Sequence, residues 1–172
     1  DGGAGNAYAG VLVSRSWRTA IKDDAGNTTG YTNYNVSNVH VKDSKVRGVC
    51  KVGGLIGACR GQVYIDNCSV SDSRIVGAAD SYGVGGILGI VDYESQALIH
   101  RCRSLRNTIS AHSQAGGVVG AGVRTSMLSA YNCENSSDVS SEYNSCGGIV
   151  GMCDSLIAGG CVNRGFINGA YK

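Results

Sequence analysis

Eight cysteines, three histidines and 13 acidic residues are the groups in this 172-residue chain that could hold a metal, form disulfides or move protons. A structural zinc site needs thiols or imidazoles paired at short spacing. No C-x-x-C pair occurs, and His40, His100 and His112 are scattered along the chain, so no metal site is expected. The carboxylates seldom cluster: Asp23 with Asp24 and Asp92 with Glu94 are the close groups, and both read as solvated turns. The chain carries no G-x-S-x-G elbow, no H-E-x-x-H and no Walker loop. DGGAGNAY resembles the start of a calcium nonapeptide but places Ala7 where an aspartate belongs, and DDAGNTTG lacks the alternating ligands of an EF-hand. Neither catalysis nor a cofactor is expected.

The cysteines divide by position. Cys68, Cys102, Cys133 and Cys161 align with one another and with Val36, as one site in a repeat. A row of buried thiols serving as small hydrophobes fits that pattern, and Val36 in the same alignment supports it. Stacked strands would bring such Cα atoms to about 4.8 Å, but parallel Cβ vectors suit the disulfide torsion poorly. Cys50, Cys59, Cys146 and Cys153 flank a glycine motif instead and are the disulfide candidates. The local pairings are Cys50 with Cys59 and Cys146 with Cys153; Cys59 with Cys153 of a neighbouring molecule would link copies.

Three aromatics are the candidate binding residues. Trp17, Tyr31 and Tyr34 bracket a Thr- and Asn-rich stretch that could stack on sugar rings and bond their hydroxyls. The competing role for Trp17 is structural, folding that stretch over an open end of the fold. Lys42, Lys45, Arg47 and Lys51 form a basic run, as do Arg101, Arg103 and Arg106. Without interleaved aromatics these read as solvated faces, and no nucleic-acid partner is expected. N-x-S/T sequons occur at Asn27, Asn35, Asn67 and Asn135, with Asn67 crowded by its neighbouring cysteine.

The elements that position these residues follow from repetition. VGGLIGAC from Val52 returns as VGGILGIV from Val84, AGGVVGAG from Ala115 and CGGIVGMC from Cys146, spaced 32, 31 and 31 residues apart. A constant period of this size marks a repeat architecture. Between the motifs, apolar and polar residues alternate as in half-buried strands, and no stretch carries the period of a helix. Glycine pairs supply corners where backbones approach closely, and the aliphatics after them point inward. The expected fold is therefore all-β, a β-solenoid of about five coils with a period near 31 residues. A β-sandwich is the alternative, but it requires no fixed period. The single repeat domain divides into units 1–51, 52–83, 84–114, 115–145 and 146–172. A fainter copy, AGVLVS at Ala9 to Ser14, opens the first unit, which carries a loop insertion near 15–34.

The glycine pattern, a variable turn and a strand containing N-C together resemble the GLUG repeat of large bacterial and archaeal surface proteins. The resemblance rests on Gly53-Gly54-Leu55-Ile56-Gly57 with Asn67-Cys68 and on Gly116-Gly117-Val118-Val119-Gly120 with Asn132-Cys133. It covers about four units well, from Val52 onward, and the first poorly. It implies an extracellular module of adhesin-like proteins, and it brings no catalytic residues with it.

Composition agrees with a folded chain. It holds 27 Gly and no Pro, is 42% hydrophobic and carries a net charge of +2, too little to favour disorder by self-repulsion. No apolar run approaches the roughly 18 residues of a membrane span. Beginning at Asp1 without an apolar leader, the chain reads as a mature product. Neither the first nor the last unit shows an evident polar cap. The expected function is a structural, self-assembling extracellular protein whose coils stack or pair between molecules into a fibre, sheath or surface layer, with disulfides as a lock. Copies of itself are the expected partners. The alternative is an adhesin module of a larger surface protein, binding glycans or other cell-surface components through the first insertion.

Overall fold

The computed structural model describes residues 7–17 and 19–170, with the side chain of Tyr31 left outside the description. No helix occurs among the described residues. The chain winds as a β-solenoid of about four turns, and each turn contributes short strands to four faces. Among the described residues, every strand pairing except one hairpin is parallel. That excludes the β-sandwich, whose sheets are built from antiparallel neighbours.

The first face stacks Tyr8–Ala9, Lys51–Gly53, Val84–Gly85, Ala115–Gly116 and Cys146–Gly147. The second stacks Val13–Arg15, Ile56–Cys59, Leu88–Val91, Val119–Gly122 and Val150–Cys153. Between them lies the glycine motif. A Cβ on Gly53 would sit 1.9 Å from the Ile56 carbonyl oxygen and 2.7 Å from the Gly89 amide. The motif is thus a tight reversal in which backbone touches backbone, within one coil and across to the next. Its two aliphatics continue as rows, since the amides of Leu55, Ile87 and Val118 donate to the carbonyls of Ile87, Val118 and Ile149.

The third face stacks Asn33–Ser37, Gln62–Asp66, Gln96–His100, Met127–Tyr131 and Leu156–Gly159. Its alternating pattern buries Val63, Ile65, Ala97, Ile99, Leu128 and Ala130 and turns their neighbours outward. The fourth face is the widest, and its longest strands are Arg103–Ala111 and Glu134–Ser141. The corner between these two faces explains the recurring asparagine. Asn38, Asn67, Arg101, Asn132 and Gly160 occupy this corner in successive coils with φ of 57°, 50°, 51°, 53° and 64°. Asparagine and glycine are the residues that enter this left-handed region most readily.

The apolar core runs the length of the stack, from Val41 and Val46 through Ile65, Ile75, Ile99 and Ile109 to Leu128 and Val139. A second, smaller cluster of Ala58, Ile90 and Ala121 packs with Tyr8, Tyr82 and Val123 on the outer side of the glycine reversal. Polar residues enter the fourth-face corner as a closed network. Asn107 Nδ2 donates to the Val70 carbonyl at 2.8 Å and to Ser104 Oγ at 3.1 Å, while its Oδ1 accepts from the Ser73 amide at 2.9 Å.

Two expectations change in detail. The first-unit insertion is no loop: Ala20–Lys22 and Thr28–Tyr31 pair antiparallel as a hairpin. Its turn is closed by Asp23 Oδ1, which accepts from the amides of Ala25 and Asn27 at 3.0 and 2.8 Å. Those bonds, the Asn27 amide first, hold the Asp23 carboxyl below its usual range. Second, Val36 does not share the cysteine position. It pairs with Ile65, and the coil corner puts Val39 beside Cys68, with Ser69 paired to His40. The insertion hides one coil's phase, so alignment by sequence slipped by three residues.

Candidate functional site

The stacking gathers eight residues around a cleft of about 350 Å³: Tyr8, Arg15, Trp17, Lys51, Arg60, Tyr82, Asp92 and Tyr93. They come from three successive coils. Tyr8 pairs with Lys51 on the first face, Arg15 with Ala58 on the second, and the Asp92 amide reaches back to the Cys59 carbonyl. At the base, Lys51 Nζ lies 3.4 and 3.3 Å from the two Asp92 carboxylate oxygens, and both residues are 5% exposed. Arg15 Nη2 approaches the same carboxylate at 3.4 Å, while its Nε is buried without a hydrogen-bond partner. The Arg15 guanidinium also lies 4.0 Å from the Trp17 ring centre and 4.7 Å from that of Tyr8. Arg60 stands 5.2 Å from Trp17, and Lys51 Nζ 5.2 and 5.7 Å from Tyr8 and Tyr82. Burial, then the adjacent Cys50 thiol, pushes the Tyr82 hydroxyl well above its ordinary range, so it stays a neutral donor.

Of the three aromatics singled out in the sequence, Trp17 joins this cleft. Tyr34 is occupied elsewhere, its hydroxyl donating to the Trp17 carbonyl at 2.6 Å and so tying the hairpin's base. The Tyr31 backbone pairs with Ala20, and its side chain lies outside the described residues. Lys51 had the look of one more residue in a basic run, and Asp92 of a turn. Only the coil register puts them together. A sequence signal existed, because the repeat spacing sets Asp92 one coil above Arg60.

The cysteines are all free thiols. Register stacks Cys68, Cys102, Cys133 and Cys161 in successive coils. Their Sγ atoms donate to carbonyls of their own coil, as Cys68 does to Asp66 at 3.3 Å and Cys102 to His100 at 3.3 Å. Burial raises Cys133 to about 11, while the neighbouring Cys68, with burial, pushes Cys102 up. The pairings considered for Cys50, Cys59, Cys146 and Cys153 are not formed. Cys59 and Cys153 share one column, but Val91 and Gly122 stand between them. Cys59 is fully buried, its thiol raised to about 12 by that burial, so it presents no sulfur to a neighbouring molecule.

Among the sequons, Asn27, Asn35 and Asn67 are exposed, although the Asn67 amide donates to Asn38 Oδ1 at 2.7 Å. Asn135 is not available for glycosylation: it is fully buried, and its amide donates to Ser137 O at 3.2 Å and Asn163 Oδ1 at 2.8 Å. Apart from the buried Lys51, the basic runs lie on the outer surface. Arg101 and Arg106 pair with Asp66 and Asp72, whose carboxyls those guanidiniums hold below the usual range.

The last coil differs from those before it. Val63, Ala97 and Leu128 occupy one core column at 4%, 3% and 1% exposure, and the next residue in it, Leu156, is 44% exposed. Ile157, Val162 and Phe166 lie open beside it.

No family model matches the chain, and no curated protein matches it. Among solved structures it is similar to a Bacteroides ovatus protein described as a candidate immunoglobulin A1 protease, with a TM-score of 0.60 and 19% sequence identity. The match covers 95% of this chain and 54% of that one, so the chain spans about half of its neighbour's length. At that identity the likeness shows a shared fold.

Proposed function

We propose that the protein is a structural module that joins copies of itself by coil-on-coil stacking, outside the cell or at its surface, as a GLUG-like repeat would. The observation that carries this reading is the parallel register that each coil repeats on the next, which buries one column through Val63, Ala97 and Leu128 and makes one coil surface complementary to another. An open coil end offers unpaired backbone groups and apolar side chains together, which is a template for another strand. The internal interfaces repeat the required geometry, with the same parallel register from one coil to the next. A first coil set on a last coil continues the stack head to tail, and head-to-tail contacts that do not close generate filaments. No covalent lock belongs to this reading, since the four flanking cysteines form no pairs.

Sedimentation velocity over a wide concentration range, with electron microscopy of the same samples, tests it. Wild-type protein is expected to grow in mass with concentration and to form rods. An Ile157→Glu, Phe166→Asp variant, altered only at exposed positions, is expected to remain monomeric. A wild-type protein that stays monomeric at millimolar concentration refutes stacking.

A further inference from the structure

The cleft at Trp17 holds more positive charge than the fold needs. Asp92 is the one carboxylate among its described lining residues, against Lys51, Arg15 and Arg60. A buried ion pair is seldom more stabilising than apolar residues of similar size, so stability does not explain why this corner is charged. Two cations already share the Asp92 carboxylate at 3.3 and 3.4 Å, and neither contact is short. Arg15 Nε is buried with no partner, and Arg60 is exposed at the rim with its guanidinium over Trp17. The site therefore has donor capacity that no described residue of the chain takes up.

The walls narrow what that is. Trp17 and Tyr93 are 52% and 54% exposed, and the Tyr8 and Tyr82 rings line the interior. Aromatic walls reward a ligand with apolar C–H faces, while tyrosine hydroxyls reward one with its own hydroxyl groups. Guanidinium forks match a planar carboxylate in two-point contact. The volume, about 350 Å³, is at the small end of ligand pockets and suits one ring more than an extended chain. We propose that this cleft binds a hexuronic acid unit of an acidic polysaccharide, its carboxylate received by Arg15 and Arg60 and its ring held against Trp17 and Tyr93. Tyr8, Arg15 and Trp17 belong to the first coil, which head-to-tail stacking would cover, so binding is measured at a protein concentration where the chain sediments as a monomer.

Trp17 is the chain's single tryptophan, so the unmodified protein carries its own reporter. Its fluorescence is to be titrated with sodium glucuronate, sodium galacturonate, glucose and sodium sulfate at one fixed ionic strength. A saturable change is expected with at least one uronate, with glucose and sulfate at least tenfold weaker. Arg60→Gln changes an exposed residue and is expected to weaken uronate binding by about tenfold, the value of a charge-assisted hydrogen bond, at unaltered Tm. Tyr93→Ala, also at an exposed position, serves if Arg60→Gln does not fold. No saturable response to either uronate overturns the proposal. Equal responses to sulfate and uronate overturn it as well, leaving an unselective anion site, as does uronate affinity unchanged by both variants.

Discussion

Lys51 Nζ sits 3.3 Å from Asp92 Oδ2, and 41 residues of chain separate the two. They face each other because one turn of the solenoid returns the backbone almost to its starting point, and both side chains then line the cleft with Tyr8 and Tyr82. Removing one partner of a buried pair strands the other charge. Asp92→Ala, which leaves Lys51 and Arg15 without their carboxylate, is expected to destabilise the fold by about 3–5 kcal/mol. The Lys51→Met, Asp92→Leu double variant is expected to recover most of the loss. Urea unfolding of the single and double variants measures this coupling directly, and simple additivity would show that the pair is not coupled.

The glycine reversal makes a sharper demand. Gly53→Ala places a methyl 1.9 Å from the Ile56 carbonyl, where backbone cannot yield, and is expected to abolish folding. Gly26→Ala, in the hairpin turn, meets nothing within 4 Å and bears only the strain of φ +84°. Its expected cost is about 1–2 kcal/mol. Thermal unfolding of the two variants side by side tests whether close approach or turn conformation is the stronger requirement.

Asn107 is the hub of the fourth-face corner. Asn107→Ala would leave the Ser73 amide and the Val70 carbonyl buried without their side-chain partner, at an expected cost of about 1–3 kcal/mol. Asn107→Asp keeps the acceptor and, protonated at low pH, offers one donor where the amide offers two, and should lie between wild type and alanine there. An alanine variant of undiminished stability would mean that water replaces the amide.

The thiols give a prediction in alkali. Burial raises Cys59 from 9.0 to about 12 and Cys133 from 9.0 to about 11, so both stay protonated in the fold while the unfolded chain ionises near 9. The folded state then holds more protons, and stability falls as pH rises. Their contribution is complete below pH 9 and is lost above it, at about 1.4 kcal/mol per pH unit for each thiol until its folded value is reached. Tm should decline from pH 9 upward, less steeply in Cys59→Ala. Maleimide at neutral pH should mark Cys146, Cys153 and Cys161 before the five buried cysteines, and denatured, unreduced protein should label at all eight. Fewer than eight would reveal a disulfide.

The period of the glycine motif was enough, read from the chain alone, to establish an all-β solenoid. Each coil must reverse at the same place, and only glycine fits where Gly53 meets Ile56 and Gly89. The cysteine ladder was equally legible, since Cys68, Cys102, Cys133 and Cys161 recur at one repeat position and pack toward the core, but the left-handed corner that the preceding residues occupy was not read. Lateral phase was not legible. Periodicity counts residues per coil but does not say which residues of an interrupted coil face their neighbours, so Val36 and Val39 were confused across the hairpin insertion. The burial of Asn135 and the free state of the cysteines likewise depend on which side of a strand faces the core. The cleft of Arg15, Trp17, Lys51 and Asp92 draws on three coils whose side chains are neighbours only after stacking fixes their register. Repetition along a chain specifies a coil; the hydrogen bonds between coils decide which side chains meet.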